Sequence, residues 1–392
     1  MANELAFALI TPYSLMKSRT GGILGRFLVR TRLDLVGTRM VAPSKELVEK
    51  YADMLSRHGD VEGTGIDEGA LLSEYVRRTF MPDAQTGKRR RVMLLVFEGE
   101  DAVKRVNRAL GRFQTTITSA ESVRDTYGDL IRDPNGEVAF IEPAAISSPT
   151  TEKTAEALRL WADLSEADGG LVENVADVAD SEDMERTLVM LKPDNFKFAS
   201  IRPGTIIDIF SGSGLRIVAA KVDRMSVAEA LEFYGPVRDV LREKKKEPAG
   251  ALAKKAIEKE LGFDLPDEVA AQLGEMIGPL FGDRQFNELV NFMTGVWAPD
   301  CPAEAEEDPG QSRILALVYA GPDAVRKIRD ILGPTDPSKA LPGSVRKEYG
   351  QDIMVNAAHA SDSPENAQRE MRIIKVGKDG IQKLIKKHYG NV

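Results

Sequence analysis

The sequence holds one cysteine, two tryptophans and three histidines in 392 residues, and only 6% of it is aromatic. The lone Cys301 excludes an internal disulfide, and no metal cluster can be built on it. No apolar run approaches the roughly 20 residues of a membrane-spanning helix. An excess of basic residues is also missing. The net charge is −8, which argues against general nucleic-acid or anionic-membrane binding, though a locally basic pocket for a small anion is compatible with it. The first residues, MANELAFALITPY, contain an apolar run with no basic region before it and no small-residue cleavage site. They read as a first β-strand rather than a signal peptide, and the cytoplasm is the expected location.

What is present is ordinary in amount and unusual in arrangement. An apolar share of 42% and a charged share of 29% fit a globular protein with room for two cores. The chain also repeats itself. Residues 93–111, MLLVFEGEDAVKRVNRALG, align without a gap on 315–333, LALVYAGPDAVRKIRDILG. The same offset carries ESVRDTYG (121–128) onto GSVRKEYG (343–350), and ELAFALITPY (4–13) matches RTLVMLKPDN (186–195). Likewise RLDLVGTRMVAPSKELVEKY (32–51) follows LRIVAAKVDRMSVAEALEFY (215–234). A match in one order through both halves is a duplication. Its joint lies in the acidic stretch DGGLVENVADVADSED, residues 168–183.

Each repeat reads β-α-β-β-α-β. In the second, TLVMLK, RIVAAKVD, RILALVYAG and DIMVNAAH are strands. PGTIIDIFSGSG, SVAEALEFY and PDAVRKIRDILG are helices, and Ser226 with Glu229 forms a capping box before the second of them. The expected class is α+β, two ferredoxin-like sandwiches in tandem, each an antiparallel sheet with helices packed on it. That fold serves many functions, so the site must decide this one.

With so few histidines, the stretch VNAAHASDSPENAQRE (355–370) draws notice. It presents His359 among small side chains, with Asn356 before it and Glu370 closing a helical segment. The second repeat also carries ERTLVMLKPD (185–194), Tyr234 closing a helix, RDILGPTDP (329–337) and ALPGSVRKEYG (340–350), and then NAAHASDS (356–363). In these separated motifs it resembles the nucleoside diphosphate kinase family, whose members move a γ-phosphate between nucleotides through a phosphohistidine. The resemblance implies His359 as nucleophile, with Glu370 holding its other ring nitrogen. It implies Arg329, Thr335 and Arg346 on the phosphates, Lys192 between ribose and terminal phosphate, and Asn356 on the ribose. Tyr234 would steady the phosphate end, while Phe286 and Ile353 would sandwich the base. Mg²⁺ would arrive with the nucleotide, bridging phosphates with few protein ligands of its own. The chemistry suits these residue types. Phosphoryl transfer is positioning plus charge neutralisation, and a neutral imidazole is a competent nucleophile near pH 7.

Departures from the family pattern are Asn195 for the glycine after KPD, Ala360 for the glycine after the histidine, and Val355 for the arginine before Asn356. Two insertions, at about 240–284 and 296–312, are expected to form a helical hairpin and an acidic loop. In the first repeat, Thr11 stands for Lys192, Asn107 for Arg329 and Phe113 for Thr335, and His359 falls near Ala144. Only Tyr51 and Arg124 survive there. The expected organisation is therefore a degenerate kinase-like domain at 1–165, an acidic linker at 166–183 and a catalytic domain at 184–392. His58 and His388 lie outside any motif and are expected at the surface. The basic tail, KVGKDGIQKLIKKHYGNV (375–392), is expected as an amphipathic helix at a subunit contact.

The function implied is a nucleoside diphosphate kinase acting on nucleoside triphosphates and diphosphates, with ATP as donor. The family's assembly implies a homo-oligomer, either a dimer or a trimer of tandem chains forming a pseudo-hexamer. Neither nucleic acid nor membrane is an expected partner. A nucleotide sensor or scaffold without useful turnover is the alternative. It would have little need of the nucleophile, and the intact set around His359 discriminates against it.

Overall fold

The computed structural model describes residues 3–59, 67–113, 119–178, 183–378 and 380–390. Residues 179–182 of the expected linker, Asp379, and the last two residues of the tail lie outside it. The chain forms two compact bodies, residues 1–223 with 315–392 and residues 224–314.

Both repeats follow one plan, the second with three of its helices in the other body. The first runs β1 (Glu4–Ile10), α1 (Pro12–Met16), α2 (Thr20–Thr31), β2 (Asp34–Val41), α3 (Lys45–Ser56) and α4 (Glu68–Thr79). It continues with β3 (Val92–Gly99), α5 (Ala102–Leu110), α6 (Val123–Tyr127) and the hairpin β4 (Asp129–Arg132) and β5 (Val138–Glu142). It closes with β6 (Ala145–Ile146) and α7 (Thr151–Asp168). The second has β7 (Met184–Leu191), α8 (Arg202–Ser211) and β8 (Arg216–Asp223), then α9 (Val227–Lys244), α10 (Lys246–Leu261) and α11 (Asp267–Thr294). After these come β9 (Ile314–Pro322), α12 (Ala324–Leu332), α13 (Val345–Tyr349), β10 (Ala358–Ala360), α14 (Pro364–Ile374) and α15 (Ile381–Tyr389).

The sheets are ordered β2-β3-β1-β6 and β8-β9-β7-β10, and in each the first strand pairs antiparallel with the third and the fourth. This is the ferredoxin-like order, reached twice. The duplication extends to the backbone. Gly99 and Gly321 have φ of 156° and 153°, Asp101 and Asp323 have 52° and 55°, and Ala144 and Ala357 have 60° and 70°. Those φ values at Gly99 and Gly321 are ones that residues with a side chain rarely adopt, so both turns favour glycine, and a Cβ on either would also crowd a leucine Cδ2 at 2.6 Å, Leu33 or Leu215. Both α5 and α12 bury small and branched residues along one stripe, which lays them on their sheets.

The repeats meet through helices α2 and α8 and along strands β2 and β8. Gly21 and Gly25 of α2 face Gly204 of α8, and a Cβ on Gly204 would lie 2.7 Å from Gly25 N. Gly22 N–H donates to Asp208 Oδ1 at 3.1 Å across the contact, and burial pushes that carboxyl up to about 6. The segment after α7 is stitched in place. Val172 N–H donates to Val218 O, Ala176 N–H donates to Arg89 O, and the buried Arg91 grips Asp177 with its guanidinium fork. The helix before it runs to Asp168, inside the stretch expected as linker.

Three expectations change here. The tail does form a helix, but α15 buries Ile381 and Ile385 in the core of the first repeat. His388 Nε2 lies 3.0 Å from Glu98 Oε1, and burial lowers His58 to about 4, so neither histidine is a free surface group. The last strand is three residues long rather than beginning at Asp352. Asp352 Oδ1 accepts from Met354 N and Val355 N at 2.7 Å each and holds that segment in a turn.

The body at 224–314 holds α9 to α11 and two short 3₁₀ turns, Ala298–Asp300 and Ala303–Ala305. The capping box of Ser226 and Glu229 opens α9, which runs on through Tyr234 and Pro236 to Lys244. Gly274, Gly278 and Gly282, spaced by one turn on α11, admit the backbone of Lys246 and Arg242 at close range. Among the described residues no helix is long and apolar enough to cross a membrane.

Candidate active site

Where β7 ends, the chain delivers Lys192 into a buried position. Its Nζ donates to Asn356 Oδ1 at 2.7 Å and to Met354 O at 3.1 Å, across 164 and 162 residues of chain. Burial, reinforced by the Arg346 guanidinium, pushes this ammonium down to about 7, against the pull of Asp194 and Asp352. Asn356 is 1% exposed, and its Nδ2 donates to Thr335 O and Ile353 O at 3.1 and 2.9 Å. One amide thus joins the lysine, the Gly-Pro-Thr loop and the loop before β10.

His359 sits in β10 opposite Met190 of β7, between Ala358 and Ala360. Its Nε2 lies 2.9 Å from Glu370 Oε2, which also accepts from Ser361 Oγ at 2.6 Å. Glu370 is 4% exposed, on a helix started by the Ser363 cap and Pro364. The His359 side chain keeps 22% of its surface. A carboxylate buried on one ring nitrogen selects the tautomer with its lone pair on Nδ1.

Arg346 donates from Nη1 to Gly333 O at 2.9 Å and from Nη2 to Ala358 O at 3.2 Å, which ties α13 to the histidine strand. Arg329 is exposed in the last turn of α12, Thr335 is exposed in the loop after it, and Ile353 is 61% exposed. These bonds pair Lys192 with Asn356 and His359 with Glu370, and Arg346 reaches the backbone of the histidine strand, whereas Arg329 and Thr335 offer open side chains. The remaining two candidates belong to the helical body. There Tyr234 is buried beside Phe233, ring centroids 4.8 Å apart. Phe286 is 1% exposed with Arg238 over its ring, a core ring rather than a face open to a base.

Ser361 and Asn195 were not singled out as site residues by motif reading. Ser361 directly follows the His-Ala pair, and its spacing to Glu370 was the available signal. Asn195 was visible only as a departure from a glycine.

The first repeat shows what the same backbone does without these groups. Arg124 donates to Gly111 O at 2.9 Å, the counterpart of the Arg346 bond, but its guanidinium lies over the Phe113 ring at 3.8 Å. Burial lowers Arg124 to about 10, opposed by Glu68. Asn107 donates to Val103 O and Ser148 O. Thr11 donates to Glu142 Oε1 at 2.7 Å and Tyr75 donates to its Oε2 at 2.6 Å, and burial raises that carboxyl. The strand register corrects two correspondences: Glu4 pairs with Gly99 as Glu185 pairs with Gly321, so residues 4–13 match 185–194 rather than 186–195, and the residue opposite Leu9, as His359 is opposite Met190, is Ile146 rather than Ala144. Ala144 matches Ala357, the left-handed residue two places earlier.

The model of the family described as nucleoside diphosphate kinase matches residues 282–376. The chain is 31% identical over 196 residues to the nucleoside diphosphate kinase of Campylobacter hominis, covering 50% of this chain and 98% of that one. It is 32% identical to the Pyrobaculum aerophilum enzyme of the same name, covering 48% and 93%. Among solved structures, the Aquifex aeolicus nucleoside diphosphate kinase is 30% identical and covers 49% of this chain and 94% of that chain, with a TM-score of 0.30. With relatives matched at this identity over nearly their whole length, the chain belongs to the nucleoside diphosphate kinase family.

Proposed function

We propose that the second repeat transfers the γ-phosphate of ATP to nucleoside diphosphates by a ping-pong reaction through phospho-His359. The observation that supports it most directly is the His359–Glu370 contact, in the same polar cluster as Lys192, Asn356 and Arg346. In the first half-reaction His359 Nδ1 attacks the γ-phosphorus, the N–P bond forms, and the bond from phosphorus to the bridging oxygen breaks to release the diphosphate. The ring becomes cationic, and Glu370 stabilises it through Nε2–H. In the second half-reaction a terminal oxygen of another nucleoside diphosphate attacks the same phosphorus and the N–P bond breaks.

Lys192 and Arg346 would answer the phosphate charge, joined by Arg329 from the last turn of α12 and Thr335 from the exposed loop after it, and Asn356 positions Lys192. Among the described residues no three His, Cys, Asp or Glu side chains converge to cage a metal ion. Mg²⁺ entering with the nucleotide would neutralise phosphate charge, with Lys192 and Arg346 supplying the protein's share. Ile353 offers an apolar surface to the base, and such a surface does not discriminate between bases.

Incubation with γ-labelled ATP and Mg²⁺ should label the protein with an alkali-stable, acid-labile phosphoramidate that any nucleoside diphosphate discharges. His359→Ala should abolish labelling with nucleotide affinity nearly intact, and Arg346→Ala should weaken binding and transfer together. Binding without labelling of the wild type would instead support the sensor.

A further inference from the structure

Asn195 occupies the position after Lys192-Pro193-Asp194, is 2% exposed, and uses every hydrogen-bonding group of its amide. Its Nδ2 donates to Lys192 O at 2.9 Å and to Ala357 O at 2.7 Å. Its Oδ1 accepts from Arg202 Nε at 2.9 Å, and Arg202 in turn donates to Asp194 Oδ2 at 2.5 Å and Tyr349 O at 2.8 Å. The two carbonyls belong to the residues that matter. Lys192 is one, and Ala357, at φ 70°, is the left-handed residue from which the strand to His359 departs. A non-glycine residue persists in that conformation only where its surroundings hold it.

The first repeat supplies an internal comparison. It keeps the left-handed Ala144 and the bond from Thr11 N–H to Ala144 O at 3.2 Å, which matches that from Lys192 N–H to Ala357 O at 3.0 Å. At the place of Asn195 it has Ser14, whose buried hydroxyl finds no hydrogen-bond partner. There Glu142 ties the turn instead, its Oε1 accepting from Thr11 Oγ1 at 2.7 Å and from Ala144 N–H at 3.0 Å, so this repeat holds the same two segments without the amide bridge. The bridge occurs in the repeat that carries the histidine.

Resting on the phosphotransfer reading above, we propose that Asn195 is a positioning residue, a clamp that fixes the backbone of Lys192 relative to the strand of His359. It touches neither nucleotide nor the transferred phosphate. It holds the phosphate-facing ammonium and the attacking ring at one separation, which an in-line displacement requires. Without the amide, Ala357 O keeps its bond from Lys192 N–H but loses the second donor, and the link to Arg202 and Tyr349 is broken.

The test separates binding from transfer in the full chain. Asn195→Ala and Asn195→Asp are compared with wild type for MgADP affinity and for the single-turnover rate of His359 phosphorylation by ATP. Asp keeps the shape and can accept from Arg202, but it cannot donate to the two carbonyls. Both variants should keep nucleotide affinity within about twofold, while phosphorylation slows by roughly 10- to 100-fold, the scale expected for a misplaced reacting group. A rate equal to wild type in both overturns the clamp while leaving the phosphohistidine reaction standing. So does loss of folded structure in both by circular dichroism, since Asn195 would then serve the fold. Absence of labelling in the wild type strikes the reaction itself and the clamp with it.

Discussion

Phe113 lies beneath Arg124, with the guanidinium carbon 3.8 Å from the ring centroid. In the second repeat the corresponding pair is Arg346 and Thr335, and Thr335 is exposed. The first repeat has thus kept its arginine and covered it with an apolar ring, while Asn107 bonds to Ser148 O instead of reaching outward. An arginine held by a ring and a backbone carbonyl in a buried site is poorly placed to meet a phosphate.

Titration calorimetry of the full chain with MgADP should therefore show one nucleotide per chain. Arg346→Ala should remove most of that signal, and Arg124→Ala should leave the stoichiometry and affinity unchanged. Two equivalent sites per chain would contradict the closed first repeat.

Lys192 sets a pH dependence. With its folded value near 7 and an unfolded value of about 10.4, the unfolded chain holds a proton between those limits that the folded apo chain lacks. This lysine therefore makes stability rise with pH across that window. Phosphate beside Nζ favours the ammonium, so nucleotide binding at pH 8 should take up roughly one proton and at pH 6 much less. Calorimetry in buffers of different ionisation enthalpy measures this uptake, and the difference from Lys192→Met isolates the lysine. Equal differences at the two pH values would refute the assignment.

The crossing of α2 and α8 predicts a stability effect away from the site. A Cβ on Gly204 would meet the backbone of both Gly21 and Gly25, and backbone cannot swing aside as a flexible side chain can. Gly204→Ala should lower stability by about 1–3 kcal/mol, the usual cost of overpacking, read as a drop in the thermal midpoint with helix content unchanged. An unchanged midpoint would show that the helices separate without cost.

Much of this molecule was legible beforehand because it depends on residues near one another in the chain. The strands, helices and capping box follow from spacing and side-chain type. The duplication follows from 19 gapless residues that impose the same turn geometry on both copies, down to Gly99 and Gly321. The candidate nucleophile followed from a motif. What the sequence could not supply were quantities that distant residues set. Lys192 is an ordinary lysine until the fold buries it beside Arg346 and hands it Asn356, 164 residues away. Whether Phe286 faces a base or a core depends on how helices pack, which its own neighbours do not reveal. The basic tail looked like a subunit contact because its apolar stripe needs a partner, and the fold provides one within the chain, in the core of the first repeat. Asn195 looked like a loosened glycine. Only the approach of Ala357 O to 2.7 Å turns its amide into a bridge, since hydrogen bonds act at contact range and the chain reaches contact by folding.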